Sequence, residues 1–265
     1  MTAGGRMAQL FLRYATPFAG IRRWPLLGPA VGWLSRILVP RDVLAWEQVR
    51  RGPAKGIWLE LNPRTGRATL EGGGEPEVQK ALVEHLGPGM TVYDVGANIG
   101  FFSLLAARLV GRTGRVVAFE ADPEIAARLS LNAKRNDFTW IRVEQRAVCE
   151  ESGAVYFKRA DLKESPDRGL GHIVGEELPG TLRVDGTSLD DYVRTAGVPD
   201  FVKCDVEGAE VAVFRGAERL LKERGPIVLC EMHSAENRRL LEERFGGLGY
   251  NCRMLDESHL LALPR

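Results

Sequence analysis

The sequence predicts an open α/β fold, a mainly parallel sheet covered on both faces by helices and edged by a terminal hairpin. Three observations carry that expectation. From Thr91 onward, short apolar runs alternate with segments of helical periodicity. The runs TVYDV, RVVAFE, FVKCDV and IVLCEM are apolar almost throughout, as strands buried on two faces are. Glycines and acids gather where the runs end, which is where such sheets bind ligands.

The chain has 265 residues, 45% hydrophobic and 27% charged, enough for one substantial core with additions. Its net charge of +1 gives no footprint for nucleic acid, and none is expected as a partner. The charge is uneven, however. Up to Lys55 there are nine basic residues, opposed only by Asp42 and Glu47.

Prolines 17, 25, 29, 40 and 53 divide that region into short helices. It is expected to form an N-terminal helical extension over residues 1–55, ahead of a domain over residues 56–265. Trp24, Trp33 and Trp46 lie among the arginines. They suit peripheral contact with a membrane surface, or packing of the extension on the domain. The prolines argue for packing, because they interrupt any long amphipathic face.

No secretory leader is evident and no apolar run reaches the ~18 residues of a membrane span. Cys149, Cys204, Cys230 and Cys252 have no metal-finger spacing. A cytoplasmic protein with reduced thiols, at most peripheral at a membrane, is expected.

The elements follow in order. GIWLELNPRTGRATL, residues 56–70, alternates about a turn and predicts a small hairpin. Residues 77–86 read as a helix stopped by Gly87-Pro88-Gly89. A strand through Val95, a helix over 101–110, a strand over 115–120 and a helix over 123–136 come next. Pro123 suits the first turn of that helix. A third strand starts near Trp140 and is extended toward Val148. A short strand over 154–158 precedes a glycine-bearing loop, 160–180, expected to cover the substrate cleft. A small helix over 188–196 leads to the strand ending at Val206. One helix over 210–224, the strand ending at Met232, a helix over 235–245 and a final hairpin complete the chain.

Between the first strand and helix the chain reads DVGANIG. Gly96 and Gly100 permit a sharp turn and a close ligand approach. The helix that follows leaves free N–H groups at the turn. Asp94 stands just before it, placed to hold an ammonium or to order the loop. Glu120 ends the next strand, 26 positions on, near the spacing at which doubly wound folds place a ribose-binding acid. A dinucleotide loop would read GxGxxG, whereas here Asn98 replaces the middle glycine and Asp94 would repel a pyrophosphate. S-adenosylmethionine, with a sulfonium, an ammonium and a ribose, suits these acids better.

DVGANIG, AFEADPE, LSLNAKRN, KCDVEGAE and VLCEMH, in that order, resemble the FkbM family of S-adenosylmethionine-dependent methyltransferases. The resemblance runs from about Glu75 to His233. It implies a Rossmann-like, doubly wound seven-stranded sheet with the last strand antiparallel, the class I methyltransferase fold. It also implies methyl transfer, usually to an oxygen of a small-molecule, glycan or lipid-linked glycan acceptor. Carried over, Asp94, Gly96, Asn98 and Gly100 form the cofactor loop, Glu120 takes the ribose, and Ala121 follows it. Family members usually read FEP where this chain has Phe119-Glu120-Ala121-Asp122-Pro123. That shift, and the lack of an asparagine near Gln145, Arg146 and Ala147, leaves the adenine contacts open.

Transfer to an alcohol requires alignment and removal of a proton. The strand ends beyond the cofactor loop hold Lys203, Asp205, Glu207 and Glu210, then Glu231 and His233. Asp205 is the first choice for base or acceptor positioning and His233 the second, because imidazole titrates in a useful range. Glu231 shares a strand face with His233, and Glu207 opens the next turn. Asp205, Glu231 and His233 also offer a ligand set for a divalent cation. Such clusters serve acid–base roles without metal, and the metal-free reading is preferred. N-methylation of an amine, on a peptide-like acceptor, is the alternative on the same fold.

Overall fold

The computed structural model describes residues 44–63, 65–160 and 171–265. Residues 1–43, 64 and 161–170, with the helices and about half of the loop expected there, lie outside them. Within the described part of the N-terminal extension, Ala45–Gln48 is a strand (β1), not a helix.

β1 pairs antiparallel with β2 (Trp58–Leu61), Trp46 opposite Glu60. The hairpin expected within residues 56–70 therefore takes its partner from upstream. Asn62 accepts the Thr65 N–H on its side-chain oxygen and the Gly66 N–H on its carbonyl. Those bonds wind the chain into a helical turn, α1 (Arg67–Leu70), where a second strand was expected. α2 (Pro76–His85) then leads into the main sheet.

β3 (Thr91–Val95), α3 (Phe101–Val110), β4 (Arg115–Phe119), α4 (Pro123–Arg135) and β5 (Ile141–Glu144) follow the expected alternation. The third strand does not run to Val148. Ala147–Val148 is a separate strand, β6, which joins a second sheet with β7 (Gly153–Lys158), β8 (His172–Val174) and β9 (Thr181–Thr187), in the order β6-β9-β7-β8. Residues 172–174 and 181–187, expected as loop or lead-in, are thus strands. α5 (Leu189–Ala196) starts under a Ser188 cap that accepts the Asp191 N–H.

β10 (Phe201–Cys204), α6 (Glu210–Arg215), α7 (Glu218–Arg224), β11 (Ile227–Glu231), α8 (Ala235–Gly247), β12 (Tyr250–Met254) and β13 (His259–Pro264) complete the chain. The single helix expected over 210–224 is broken at Gly216. Its carbonyl accepts the Asp190 N–H, and a Cβ there would stand 2.4 Å from the Cys149 carbonyl oxygen.

The main sheet has the order β12-β13-β11-β10-β3-β4-β5, with β13 antiparallel to both neighbours. Alternate residues feed two cores. Val92, Val116 and Phe201 pack with Leu82, Leu104 and Leu105. Tyr93, Val117 and Val202 pack on the other face with Phe214, Leu241 and Phe245. No helix among the described residues is long and apolar enough to cross a membrane.

A polar ladder on α4 covers the free edge of β2. Arg128, Asn132 and Asn136 stand four residues apart on one helix face. The Arg128 guanidinium donates to the Glu60 carbonyl (2.9 Å) and the Glu60 N–H donates to Asn132 Oδ1 (2.8 Å). The Asn136 amide takes the Trp58 N–H and donates to the Trp58 carbonyl, both at 2.8 Å. Asn132 also donates to the Ile99 carbonyl beside the glycine turn (2.8 Å). The two asparagines of LSLNAKRN thus mimic a neighbouring strand and dispose of an exposed edge. Asn132→Ala orphans two backbone groups at about 1–3 kcal/mol each. Urea unfolding is expected to show a loss of about 2–4 kcal/mol, and a loss below about 0.5 kcal/mol would remove the ladder from the stability account.

Candidate active site

β3 and β10 are hydrogen-bonded neighbours, and their carboxyl ends form the floor of the site. The Asp205 N–H donates to the Val95 carbonyl (2.9 Å), which draws the two ends together at Gly96. Gly96 has φ +77°, and an added Cβ would stand 1.7 Å from the Asp205 carbonyl oxygen. No other residue type fits there. Asn98 is held left-handed at φ +49°, and its Oδ1 accepts the Ile99 N–H (2.6 Å). Gly100, at φ +90°, lies against Leu129 of α4.

Glu120 ties this turn to the end of β4. Its Oε2 accepts the Asn98 N–H and its Oε1 the Asp122 N–H, both at 2.8 Å. Burial pushes its carboxyl up to about 7, against the pull of those two N–H groups. Each oxygen keeps a further lone pair, as a carboxylate accepting two ribose hydroxyls requires. Asp122 caps α4 by accepting the Glu124 N–H, and it pairs with Arg159.

Gly96, Asn98, Glu120, Ala121, Asp205 and Glu207 line one cleft of about 620 Å³, part of which is open solvent. Its other wall comes from the second sheet, through Val148, Phe157, His172 and Ile173. Residues 160–180 were expected to cover the cleft, and His172 and Ile173 of that segment line it, but as strand rather than loop. The acceptor capacity of Glu120 at this cleft fits a nucleoside with a ribose diol. Arg146 and Ala147 also line the cleft.

Asp94 is placed differently from the ammonium-holding role. It is 1% exposed, accepts a hydrogen bond from Ser103 Oγ (2.5 Å), and lies 3.6 Å from Lys203 Nζ. Both contacts lie inside the protein, on α3 and β10, and Asp94 is not among the residues lining the cleft. Lys203, also buried, bridges to Asp205 Oδ2 at 3.3 Å. Burial opposes the ammonium charge, but Asp205 and Asp94 overrule it and raise its pKa.

Asp205, Glu231 and His233 come together as expected, with ligand atoms within 4.8 Å of one another. His233 Nε2 is 3.4 Å from Glu207 and 3.8 Å from Asp205, while Nδ1 meets Glu210 at 2.5 Å. That bond to Glu210, helped by the surrounding carboxylates, outweighs burial and raises the imidazole to about 9. The ring is therefore cationic at neutral pH and suits holding carboxylates better than taking a proton. Burial works against the charge of Asp205, yet Lys203 and His233 hold it below the usual range. Burial raises Glu207, and burial beside Asp205 pushes Glu231 up to about 7. For Glu210 burial is outweighed by His233, and its carboxyl is lowered. The sequence placed Glu210 among the strand-end acids, at the start of a helix, with no partner assigned. The structure makes it the group that orients His233.

Two further residues reach Glu231 unannounced. His259, its register partner on β13, places Nε2 3.8 Å from it, and Glu75 lies 3.3 Å from the same nitrogen. The only sequence signal was their spacing from strand ends: Glu75 sits in a break before α2 and His259 begins the terminal strand.

A seven-stranded sheet of this order, with a glycine turn after its central strand and an acid closing the next, defines the class I methyltransferase fold. The Methyltransferase FkbM domain profile matches residues 94–249, and the chain belongs to that family. It is 29% identical to the hexuronic acid methyltransferase AglP of Haloferax volcanii, over 61% of this chain and 63% of that protein. It is 34% identical to the 31-O-demethyl-FK506 methyltransferase FkbM of Streptomyces tacrolimicus, over 57% of this chain and 68% of that one. A crystal structure of an FkbM methyltransferase from Methylobacillus flagellatus aligns at 18% identity with a TM-score of 0.48, covering 70% of this chain and 50% of that chain. The chain thus spans less than two thirds of the length of the hexuronic acid methyltransferase.

Proposed function

We propose that this chain is an S-adenosylmethionine-dependent methyltransferase acting on a hydroxyl of a sugar, glycan or other small metabolite. The observation that carries the reading is one cleft lined by both Glu120 and Asp205, under a turn where only glycine fits. The names of the hexuronic acid and FK506 relatives support a hydroxylated acceptor. The free thiols of Cys149, Cys204, Cys230 and Cys252 suit a reducing, cytoplasmic compartment.

When bound, S-adenosylmethionine supplies an electrophilic methyl group for in-line displacement. Glu120 accepts the ribose hydroxyls, and the Gly96 and Asn98 backbone lines the cleft beside it. Asp205, anchored by Lys203 and His233, holds the acceptor hydroxyl. Its proton becomes strongly acidic as the new bond forms, so even a carboxylate of low basicity receives it. Glu207 lines the cleft next to Asp205 and helps orient the acceptor, and Glu231 backs Asp205. A divalent cation on Asp205, Glu231 and His233 is the second reading, motivated by their 4.8 Å clustering. The metal-free reading is retained, because Lys203 already faces Asp205 at 3.3 Å and supplies the positive charge a cation would bring there.

Incubation with methyl-labelled S-adenosylmethionine and a panel of uronic-acid glycans, neutral sugars and amines tests the reaction and the acceptor atom. Label on nitrogen, or no label on any hydroxyl, would overturn the assignment. Cofactor binding has its own test. Glu120 accepts best when ionised, and its carboxyl is raised to about 7, so affinity is expected to tighten as pH rises through 7. Glu120→Gln should cost about 1.5–3 kcal/mol of binding at pH 8 and abolish that limb. Calorimetry showing equal pH dependence in both proteins would exclude Glu120 from the ribose site.

A further inference from the structure

We propose that Glu75, Glu231 and His259 form a binding site for a divalent cation of the Mn²⁺ or Zn²⁺ type, distinct from the cleft triad and sharing only Glu231 with it. The three come from separate parts of the fold: the loop before α2, the last residue of β11 and the first residue of β13. Their ligand atoms lie within 4.8 Å of one another. Nε2 of His259 is 3.3 Å from Glu75 Oε2 and 3.8 Å from Glu231 Oε2.

Burial is what separates this group from an ordinary acidic cluster. His259 is 5% exposed. Its Nε2 and Glu75 Oε2 are both buried, with only an ion-pair contact to each other at 3.3 Å and from Nε2 to Glu231 at 3.8 Å. Such atoms cost free energy unless something satisfies them. A metal cation held by both and by Glu231 would satisfy them.

The other side of the ring is built for ligation. Asp256 sets its two carboxylate oxygens 2.9 and 2.8 Å from Nδ1. Asp256 is itself held by the N–H groups of Ser258 and His259, at 2.9 and 2.8 Å. An Nδ1–H donated to a fixed carboxylate leaves the Nε2 lone pair toward Glu75 and Glu231. Carboxylate-backed imidazoles of this kind are the usual outer support of a metal-bound histidine. One imidazole with two carboxylates matches Mn²⁺ or Zn²⁺ better than Ca²⁺, which prefers an all-oxygen shell. A proton on Nε2 is the competing occupant, and it would make His259 a buried ion-paired imidazolium and nothing more.

A cation here would pin β11, β13 and the α2 loop together and hold Glu231 beside Asp205. Its test needs neither substrate nor turnover, so its failure leaves the methyl-transfer reading untouched. The full chain is stripped with a chelator, dialysed and titrated with Mn²⁺ under electron paramagnetic resonance, and with Zn²⁺ by calorimetry. One saturable site is expected, with imidazole-nitrogen coupling on the bound Mn²⁺. Glu75→Gln and His259→Gln should weaken binding at least tenfold, Asp256→Asn about 10–100-fold, and His233→Gln should leave it within twofold. Circular dichroism checks that each variant is folded. The Glu75 side chain is 39% exposed, so its variant keeps the test open if His259→Gln fails to fold. Absence of saturable binding to the native chain would overturn the site and leave the imidazolium. Loss on His233→Gln with Glu75→Gln unaffected would overturn it too, by moving the cation to the cleft.

Discussion

Asp205→Asn is expected to lower single-turnover methyl transfer by about 10²–10⁴-fold, the range for a fully used proton acceptor. Cofactor affinity should stay near that of the native chain. The substitution keeps the size of the side chain and the backbone N–H that closes β10 on Val95 (2.9 Å). It removes the negative charge that faces Lys203 Nζ at 3.3 Å and His233 Nε2 at 3.8 Å. An amide can still lie beside a hydroxyl, but it cannot take its proton. Glu207→Gln is the comparison, because Glu207 lines the same cleft without the lysine anchor. It should cost about tenfold or less, as expected for a group that orients the acceptor but takes no proton. Calorimetry with S-adenosylmethionine separates damage to the cofactor site from loss of chemistry. Asp205→Asn turning over within threefold of the native chain would exclude Asp205 as proton acceptor.

Gly96→Ala is expected to abolish the folded state or to lower its stability by more than about 4 kcal/mol, the range reserved for outright steric failure. Two effects act there and their sizes differ. A left-handed backbone costs a non-glycine residue roughly 1–2 kcal/mol. The larger effect is contact: the new methyl would stand 1.7 Å from the Asp205 carbonyl oxygen, so β3 and β10 would have to part. Gly225→Ala isolates the smaller effect. Gly225 is left-handed too, at φ 60° and ψ 50°, but its Cβ would meet only Pro264 at 3.3 Å. That variant should lose about 1–2 kcal/mol and keep cofactor binding. Similar losses in the two variants would show that backbone handedness alone, and not the strand contact, makes Gly96 necessary.

Much of the main sheet was legible because the signals are local. β3, β4, β10 and β11 each announce themselves by an apolar run, and Gly87-Pro88-Gly89 marks the end of α2 in its own few residues. The candidate cofactor turn was legible for the same reason. Positive-φ glycines followed by a helix, and an acid closing the next strand, are facts of spacing along one βα unit. Errors fell where an element's fate depends on a distant partner. Trp58–Leu61 has the alternation of a hairpin strand, yet its partner is Ala45–Gln48, because Asn62 turns the following segment into a helix. Ala147–Val148 looks like a continuation of β5 but pairs with Gly186 and Thr187.

The sequence by itself determined the alternating α/β order, the glycine turn at 96–100 and the strand-end position of Glu120. Periodicity and backbone handedness are properties of neighbours in the chain. Tertiary structure alone decided how the charges at those strand ends are shared. Asp94 faces Lys203 and Ser103 in the interior, Glu210 takes one nitrogen of His233, and Glu75 and His259 converge on Glu231. A carboxylate's role follows from the cation within about 4 Å of it and from how much water remains. Both are set by residues brought together only when the sheet closes.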